Sequence, residues 1–156
     1  MQYALLDVVQ VGYTLDQVKS LASLWLSLYR GPADAQQEEM APCLAGYTAG
    51  DSFDAWWRSA QSDSVGIGIE AEVPPNELRT HLRRFLLVEL EGENRKVYFR
   101  YYDPTILRTF LPTCDEAQLN TFFGPIKAFQ AADVDAGQVL RFTNEPGKRH
   151  WQPLTE

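Results

Sequence analysis

Hydrophobic residues repeat with two different periods along the chain, and each period predicts its own kind of element. An apolar run over residues 3–9 and strict alternation over residues 65–72 predict two strands. Apolar residues spaced by three and four positions over residues 15–29 predict a helix. Thr14 and Gln17 fit a capping box, in which each side chain satisfies a backbone N–H group at the start of that helix.

Glycine, proline and polar residues divide the first half of the chain further. The sequence Arg-Gly-Pro at residues 30–32 would end the first helix, because glycine can take a left-handed cap and proline cannot continue a helix. The apolar segment at residues 41–47 predicts a short strand, and residues 50–64 predict a helix capped by Asp51 or Ser52.

The alternating strand places Gly66 and Gly68 on one face together with Glu70 and Glu72. Glycine weakens a strand and usually marks a place where another group approaches the backbone closely. We expect a packed helix there, with a bound peptide as the alternative. The two glutamates could act as a pair of acids, but a solvated sheet face is the simpler interpretation.

The second half of the chain alternates helices with short strands. The predicted elements are a helix over 74–85, a hairpin of 86–91 with 95–102, helices over 103–111 and 113–124, and strands over 127–130 and 138–143. Asp103 with Pro104, and Thr113 with Glu116, would start the two later helices. This irregular order predicts an α+β fold, with a mixed, largely antiparallel sheet and helices packed on it.

The length of 156 residues predicts a single domain, which we place at residues 1–143, followed by a loose C-terminal tail at 144–156. No apolar run approaches the ~18 residues needed to cross a bilayer. The first residues lack the basic segment and cleavage site of a signal peptide. Cys43 and Cys114 form no metal-binding motif and are expected to be two buried thiols of a cytoplasmic protein, with a disulfide as the alternative.

The net charge of −7 argues against nucleic acid as the main partner. The charge is uneven, since residues 79–100 carry six basic and three acidic side chains. This basic segment could meet an acidic patch of a protein partner, or its arginines could simply be solvated on a helix face.

Catalytic signatures are missing from the sequence. His81 and His150 are the only side chains that could act as bases with an ordinary pKa near neutrality, and His81 is expected to be a polar surface residue among arginines. Neither cysteine has a histidine nearby in sequence. We therefore predict a protein without enzymatic activity, without a metal and without a cofactor.

The segment Phe-Arg-Tyr-Tyr-Asp-Pro at residues 99–104 combines an arginine, aromatic residues and a helix start. An arginine beside tyrosines on a sheet layer needs a partner for its guanidinium. Asp103 could accept from Arg100 and also cap the next helix, where Pro104 would be the first residue. We expect this corner to be structural, with direct contact between Arg100 and a ligand as the alternative.

Residues 78–126 resemble the signature of a family of bacterial type VI secretion adaptors. These proteins are the effector chaperones called Tap or TEC, whose shared domain was long described only as a domain of unknown function. The matching pieces are Leu82 with Arg83 or Arg84, the aromatic–arginine–Asp-Pro corner from Phe99 to Pro104, then Leu107, Phe110, Leu111 and Pro112, and finally Phe122, Phe123, Gly124 and Pro125. Weaker similarity extends the match to residues 2–143, although Cys43 replaces a tyrosine of the family pattern.

The resemblance implies a non-catalytic role in the cytosol. Such adaptors hold a toxic effector protein and help to load it onto the VgrG spike, so the implied partners are an effector and VgrG, without nucleic acid or membrane. We expect a monomer within a hetero-complex. Many members continue into a helical C-terminal lobe, so this chain is either a minimal member or a piece of a longer protein.

Five residues are candidates for contact with such partners: Trp56, Trp57, Arg79, Arg83 and Arg84. Arginine and tryptophan are enriched where protein partners bind tightly. An immunity protein that neutralises a toxin is the alternative, because it would also be small, acidic and cytosolic. An enzyme of unrecognised type is the third hypothesis, and turnover of a substrate would reveal it.

Overall fold

The computed structural model describes residues 1–29, 31, 39–145 and the backbone of 151–153. Its strands are β1 Gln2–Leu6, β2 Leu24–Ser27, β3 Cys43–Tyr47, β4 Gly66–Ala71, β5 Leu87–Glu89, β6 Lys96–Tyr98, β7 Ile126–Asp133, β8 Gln138–Thr143 and β9 Trp151–Pro153. Seven of them form one sheet in the order β2-β3-β1-β4-β7-β8-β9, and each described pair of neighbours is antiparallel. β5 and β6 form a separate two-stranded ribbon.

The helices are short, with at most nine residues each. They are α1 Val8–Val11, α2 Leu15–Leu21, α3 Ser52–Ala60, α4 Pro75–Arg83, α5 Pro104–Phe110 and α6 Glu116–Phe123. Among the described residues, none of these helices has the length and apolar character that a bilayer crossing requires.

The large sheet is covered on both faces. In β1, Tyr3 and Leu5 face a core that also contains the apolar residues of α4, α5 and α6. Ala4 and Leu6 face a second core built with α1, α2 and α3. Side chains of a strand alternate between the two faces, so the apolar residues 3–6 of β1 supply both cores. This architecture confirms the predicted α+β fold of one domain.

The predicted helix over residues 15–29 is wrong in its second half. α2 ends at Leu21, Ala22 is extended, and Leu24–Ser27 pairs with β3 as an edge strand. Thr14 makes no side-chain cap, because its hydroxyl donates to the carbonyl of Val11 instead. The apolar residues at 24–28 fit both periods, so pairing with β3 decided the structure. The stop predicted at 30–32 falls mainly outside the described residues.

Three later helices begin with a side-chain cap or a proline near the predicted position. Asp51 caps α3 by accepting from the backbone N–H of Asp54, as predicted. α4 begins at Pro75. The capping box of α6 is formed by Asp115 and Gln118 rather than by Thr113 and Glu116, so that prediction was two residues early.

The two glycines of β4 contact strands rather than a helix, so the predicted helix contact is wrong. A Cβ atom at Gly66 would lie 2.3 Å from the carbonyl oxygen of Leu5 in β1. A Cβ atom at Gly68 would meet the side chain of Gln130 in β7. Glu70, on the same face, is bound by two nitrogens of Arg141, which lowers the pKa of its carboxyl group.

His81 is buried, contrary to the expected surface position. Its side chain lies between α4 and α6, where Nε2 donates to the carbonyl oxygen of Phe122 at 2.8 Å. The ring also packs edge-on against Phe85 and lies against Gly124, which ends α6 as predicted. Burial lowers the pKa of His81 below its ordinary value, because the protonated ring would be poorly solvated there.

The lowered pKa of His81 predicts a loss of stability in mild acid. The unfolded chain protonates this histidine near its ordinary pKa of about 6.5, whereas the folded chain resists protonation until a lower pH. The free energy of unfolding should therefore fall as the pH drops below about 6.5. Urea unfolding between about pH 7 and pH 5 would show this slope in the wild type and a flatter one in His81→Gln. An unchanged slope in the variant would contradict the assignment.

Part of the predicted tail at 144–156 is paired. Residues 151–153 form β9, which extends the sheet beyond β8. Residues 146–150 and 154–156 lie outside the described part of the chain.

Candidate functional site

The corner between β1 and α1 contains a buried carboxylate that joins two distant parts of the chain. Asp7 follows β1 directly and caps α1 by accepting from the backbone N–H groups of Val9 and Gln10 at 3.1 and 3.4 Å. Its other oxygen accepts from Nη2 of Arg100 at 2.5 Å. The side chain of Asp7 is 4% exposed and that of Arg100 is 44% exposed. The carboxylate is therefore internal, and the guanidinium reaches the surface.

The predicted pairing of Arg100 with Asp103 is wrong. Asp103 caps α5 by accepting from the N–H groups of Thr105 and Ile106, and Pro104 begins that helix as predicted. The arginine turns instead to Asp7, 93 residues away in sequence. One carboxylate does join a strand end, a helix start and an arginine, but it belongs to Asp7 at the end of β1 rather than to Asp103.

The segment that carries Arg100 is fixed by its aromatic neighbours. Tyr101 is fully buried and donates its hydroxyl to the carbonyl of Leu82 at the end of α4. Phe99 packs against Phe110 of α5 with ring centroids 4.8 Å apart. The chain is already in a turn at Tyr101, since β6 ends at Tyr98 rather than continuing through the predicted range. These contacts hold Arg100 at a defined place on the surface.

A cleft of about 400 Å³ opens beside the Asp7–Arg100 pair, and we call it the Arg100 cleft. Its lining residues come from three parts of the chain: Asp7, Val9, Gln10, Met40, Tyr98, Arg100 and Tyr102. Val9, Met40 and Tyr98 expose 56%, 57% and 48% of their surface. The alternation of Tyr98, Arg100 and Tyr102 predicted a shared face, and all three side chains do line this one cleft.

The electrostatics of the Arg100 cleft keep its arginine charged. The hydrogen bond that Arg100 donates to Asp7 raises the pKa of Arg100 further above its already high value. The guanidinium carbon lies 6.0 Å from the ring centre of Tyr102. Burial raises the pKa of the Tyr102 hydroxyl, and the nearby carboxylate of Asp7 adds to this effect. The cleft therefore presents a permanent cation and a neutral phenol among apolar side chains.

Two of the predicted partner-binding arginines are engaged within the chain. Nε of Arg79 donates to the carbonyl of Ser27 at 2.7 Å. Arg83 donates to the carbonyls of Leu28 and Tyr29 at 3.2 and 2.6 Å. Both side chains are half-buried, and they connect α4 to the end of the edge strand β2. In this arrangement the two arginines stabilise the packing of α4.

The remaining candidates lie far apart on the fold. Arg84 is exposed at the end of α4. Trp57 is 2% exposed within the core beneath α3, whereas Trp56 is half-buried against Phe53 with ring centroids 5.2 Å apart. α3 and α4 cover opposite faces of the sheet, so the predicted contacts do not form one surface.

Cleft residues Asp7, Val9 and Met40 were missed in the sequence. An aspartate between an apolar strand and a short apolar stretch is a helix-cap signal, and it could have identified Asp7. Sequence patterns do not indicate which side chains from distant segments share a cleft.

Groups that could support other chemistry are sparse in the described residues. No cluster of three or more His, Cys, Asp or Glu side chains is placed there to hold a metal ion. Cys43 and Cys114 are both buried thiols, as predicted, and burial raises the pKa of Cys43 to about 11.

A family model described as Domain of unknown function (DUF4123) matches residues 2–121. This match covers most of the chain, including β1, α1 and the whole segment from β5 to α5. The chain therefore belongs to that family. No curated protein and no solved structure matches the chain significantly.

Proposed function

We propose that this member of the DUF4123 family is a non-catalytic adaptor that binds a type VI secretion effector and helps to load it onto the VgrG spike. The family match covers residues 2–121, but the family's name assigns no function. The resemblance of the aromatic–arginine–Asp-Pro corner to effector chaperones supplies the specific role.

The observation that carries the proposal is the Arg100 cleft. Large apolar side chains that remain exposed around a concave site are typical of places where a protein partner binds. Val9, Met40 and Tyr98 are such side chains, and they surround an arginine that the fold holds in position. Arginine and tyrosine are enriched among residues that dominate the affinity of protein interfaces.

The Asp7–Arg100 pair fits a binding role better than acid–base catalysis. Arg100 keeps its proton throughout the accessible pH range. The carboxylate of Asp7 is buried and already accepts three hydrogen bonds. In this geometry the exposed member of the pair is a guanidinium held in a fixed position, which suits recognition of a partner.

Co-purification tests the proposal directly. The chain carries an affinity tag and is expressed together with the proteins encoded beside its gene. We expect a large toxin-like protein, VgrG or both to elute with it at a fixed stoichiometry, in a complex that contains one copy of this chain. Size-exclusion chromatography with light scattering would give the composition.

Two other outcomes would count against the adaptor. The proposal would be contradicted if the folded chain were recovered alone, and if the full product of its gene were also recovered alone. Rescue of cells from a co-expressed toxin, without association with VgrG, would favour the immunity protein. The small size and net charge of −7 are compatible with that alternative.

A further inference from the structure

Arg100 uses only part of its hydrogen-bonding capacity inside the protein. Nη2 donates to Asp7 and the side chain also interacts with Tyr102, whereas a guanidinium carries five N–H donors in a planar fork. Its side chain is 44% exposed, although its partner carboxylate is almost fully buried. The fold therefore fixes the arginine through Asp7 and leaves its side chain partly exposed among the residues that line the cleft.

The surroundings of this fork are mainly apolar. Val9, Met40 and Tyr98 come from three different segments, and all three are exposed at the cleft. Leu87 lies opposite Tyr98 in the β5–β6 ribbon and is 48% exposed, so it extends the apolar surface beyond the cleft. A ligand that fills this site must bring apolar side chains and a group that can accept from a guanidinium.

We infer that the Arg100 cleft binds a segment of the client protein in which an aspartate or glutamate is flanked by large apolar side chains. The carboxylate accepts from the outer edge of Arg100, in the geometry in which arginine and carboxylate form paired hydrogen bonds. The apolar neighbours contact Val9, Met40 and Tyr98. This inference rests on the proposed function, because it names the client's chemistry.

Charge complementarity and size select this occupant. The exposed charge of the cleft is the guanidinium, because Asp7 lies behind it and is 4% exposed. A volume of about 400 Å³ accommodates a few side chains of an extended segment. A stable dimer of the chain would need a broader contact, of at least about 1,000 Å².

The first experiment determines which peptides the chain selects. Random peptides displayed on phage are selected on the purified wild-type chain and counter-selected on Val9→Glu. We expect enrichment of acidic residues flanked by Leu, Phe, Ile or Trp. Enriched peptides without an acidic residue, or no enrichment at all, would overturn the inference.

The second experiment uses the sign of an added charge at one position. Fluorescence anisotropy measures the affinity of a selected peptide for Val9→Glu and Val9→Lys. We expect Val9→Glu to bind about tenfold more weakly than wild type, because it places a like charge beside the ligand carboxylate. At low salt, Val9→Lys should bind the peptide clearly more tightly than Val9→Glu does. At high salt, where charges are screened, Val9→Lys should bind at least as tightly as Val9→Glu.

Val134 provides the matched control. It is 58% exposed, nearly as much as Val9, but lies in the turn between β7 and β8 and does not line the cleft. Val134→Glu and Val134→Lys should bind like the wild type. Met40→Glu serves as a second cleft variant, and thermal melting checks that each variant is folded. Equal effects of Glu and Lys at Val9 would overturn the inference.

The purified complex separates this inference from the adaptor proposal. If the client co-purifies equally with wild type and Val9→Glu, the cleft inference is wrong and the adaptor remains. If no client co-purifies but the selected peptides obey the charge rule, the adaptor is wrong and the cleft remains. A dimer that Val9→Glu dissociates would replace the client segment with a second copy of the chain and overturn the inference.

Discussion

Gly66→Ala is expected to destabilise the protein strongly. The new Cβ atom would lie 2.3 Å from the carbonyl oxygen of Leu5 and 2.9 Å from the Cα atom of Leu6. Both atoms belong to the backbone of β1, a central strand that is paired on both edges and cannot move alone. We expect the free energy of unfolding to fall by about 3 kcal/mol, at the upper end of overpacking effects. Urea unfolding followed by circular dichroism measures the loss.

Gly68→Ala is the matched control on the same strand and the same face. Its Cβ atom would meet the side chain of Gln130, with Oε1 at 2.9 Å and Cβ at 3.0 Å. A side chain can shift more readily than a paired backbone, so we expect a smaller loss of about 1 kcal/mol. Equal losses for the two variants would show that the close approach of β1 and β4 is not the cause.

Asp7→Ala should destabilise the protein more than Asp103→Ala does. Asp103 provides a helix cap, and removal of such a cap costs about 1 kcal/mol. Asp7 provides a cap and also pairs with Arg100, so its removal should cost about 2–3 kcal/mol. Arg100→Ala should cost about 2 kcal/mol rather than the larger value for a fully buried pair, because solvent screens the half-exposed guanidinium.

Double-mutant cycles identify the partner of Arg100. We expect a coupling free energy of about 1 kcal/mol between Asp7 and Arg100 and none between Asp103 and Arg100. Coupling with Asp103 instead would contradict the observed geometry. Arg100→Ala should lower both the stability, through the lost pair with Asp7, and the affinity for a partner that binds in the Arg100 cleft. If the variant melts like wild type yet loses its partner, the structural role of the pair is wrong.

Local signals predicted most elements of the chain from residue 50 onward. Asp51, Asp103 and the proline at 75 mark helix starts because each acts on backbone groups only a few residues away. The alternation in β4 is equally local, and Ile67 and Ile69 do face one core. Such features depend on neighbours along the chain, so a single sequence contains them.

The same reasoning fails where two structures fit one pattern. Residues 24–27 continue the helical spacing of α2 and also suit a strand. Hydrogen bonds to β3 decided between the helix and the strand, and the residues near 24–27 do not indicate that pairing. His81 looked like a surface residue for a similar reason, because the carbonyl of Phe122 that accepts from it lies 41 residues away.

The sequence by itself determined the α+β composition, the helix starts and the face shared by Tyr98, Arg100 and Tyr102. Only the tertiary structure decided that Arg100 pairs with Asp7 and that Val9 and Met40 complete its cleft. Periodicity and capping act over a few residues, whereas the cleft combines three segments that the sheet and the two cores bring together. Local residue types therefore indicate which chemical groups the chain contains, and the fold decides which of them share the cleft.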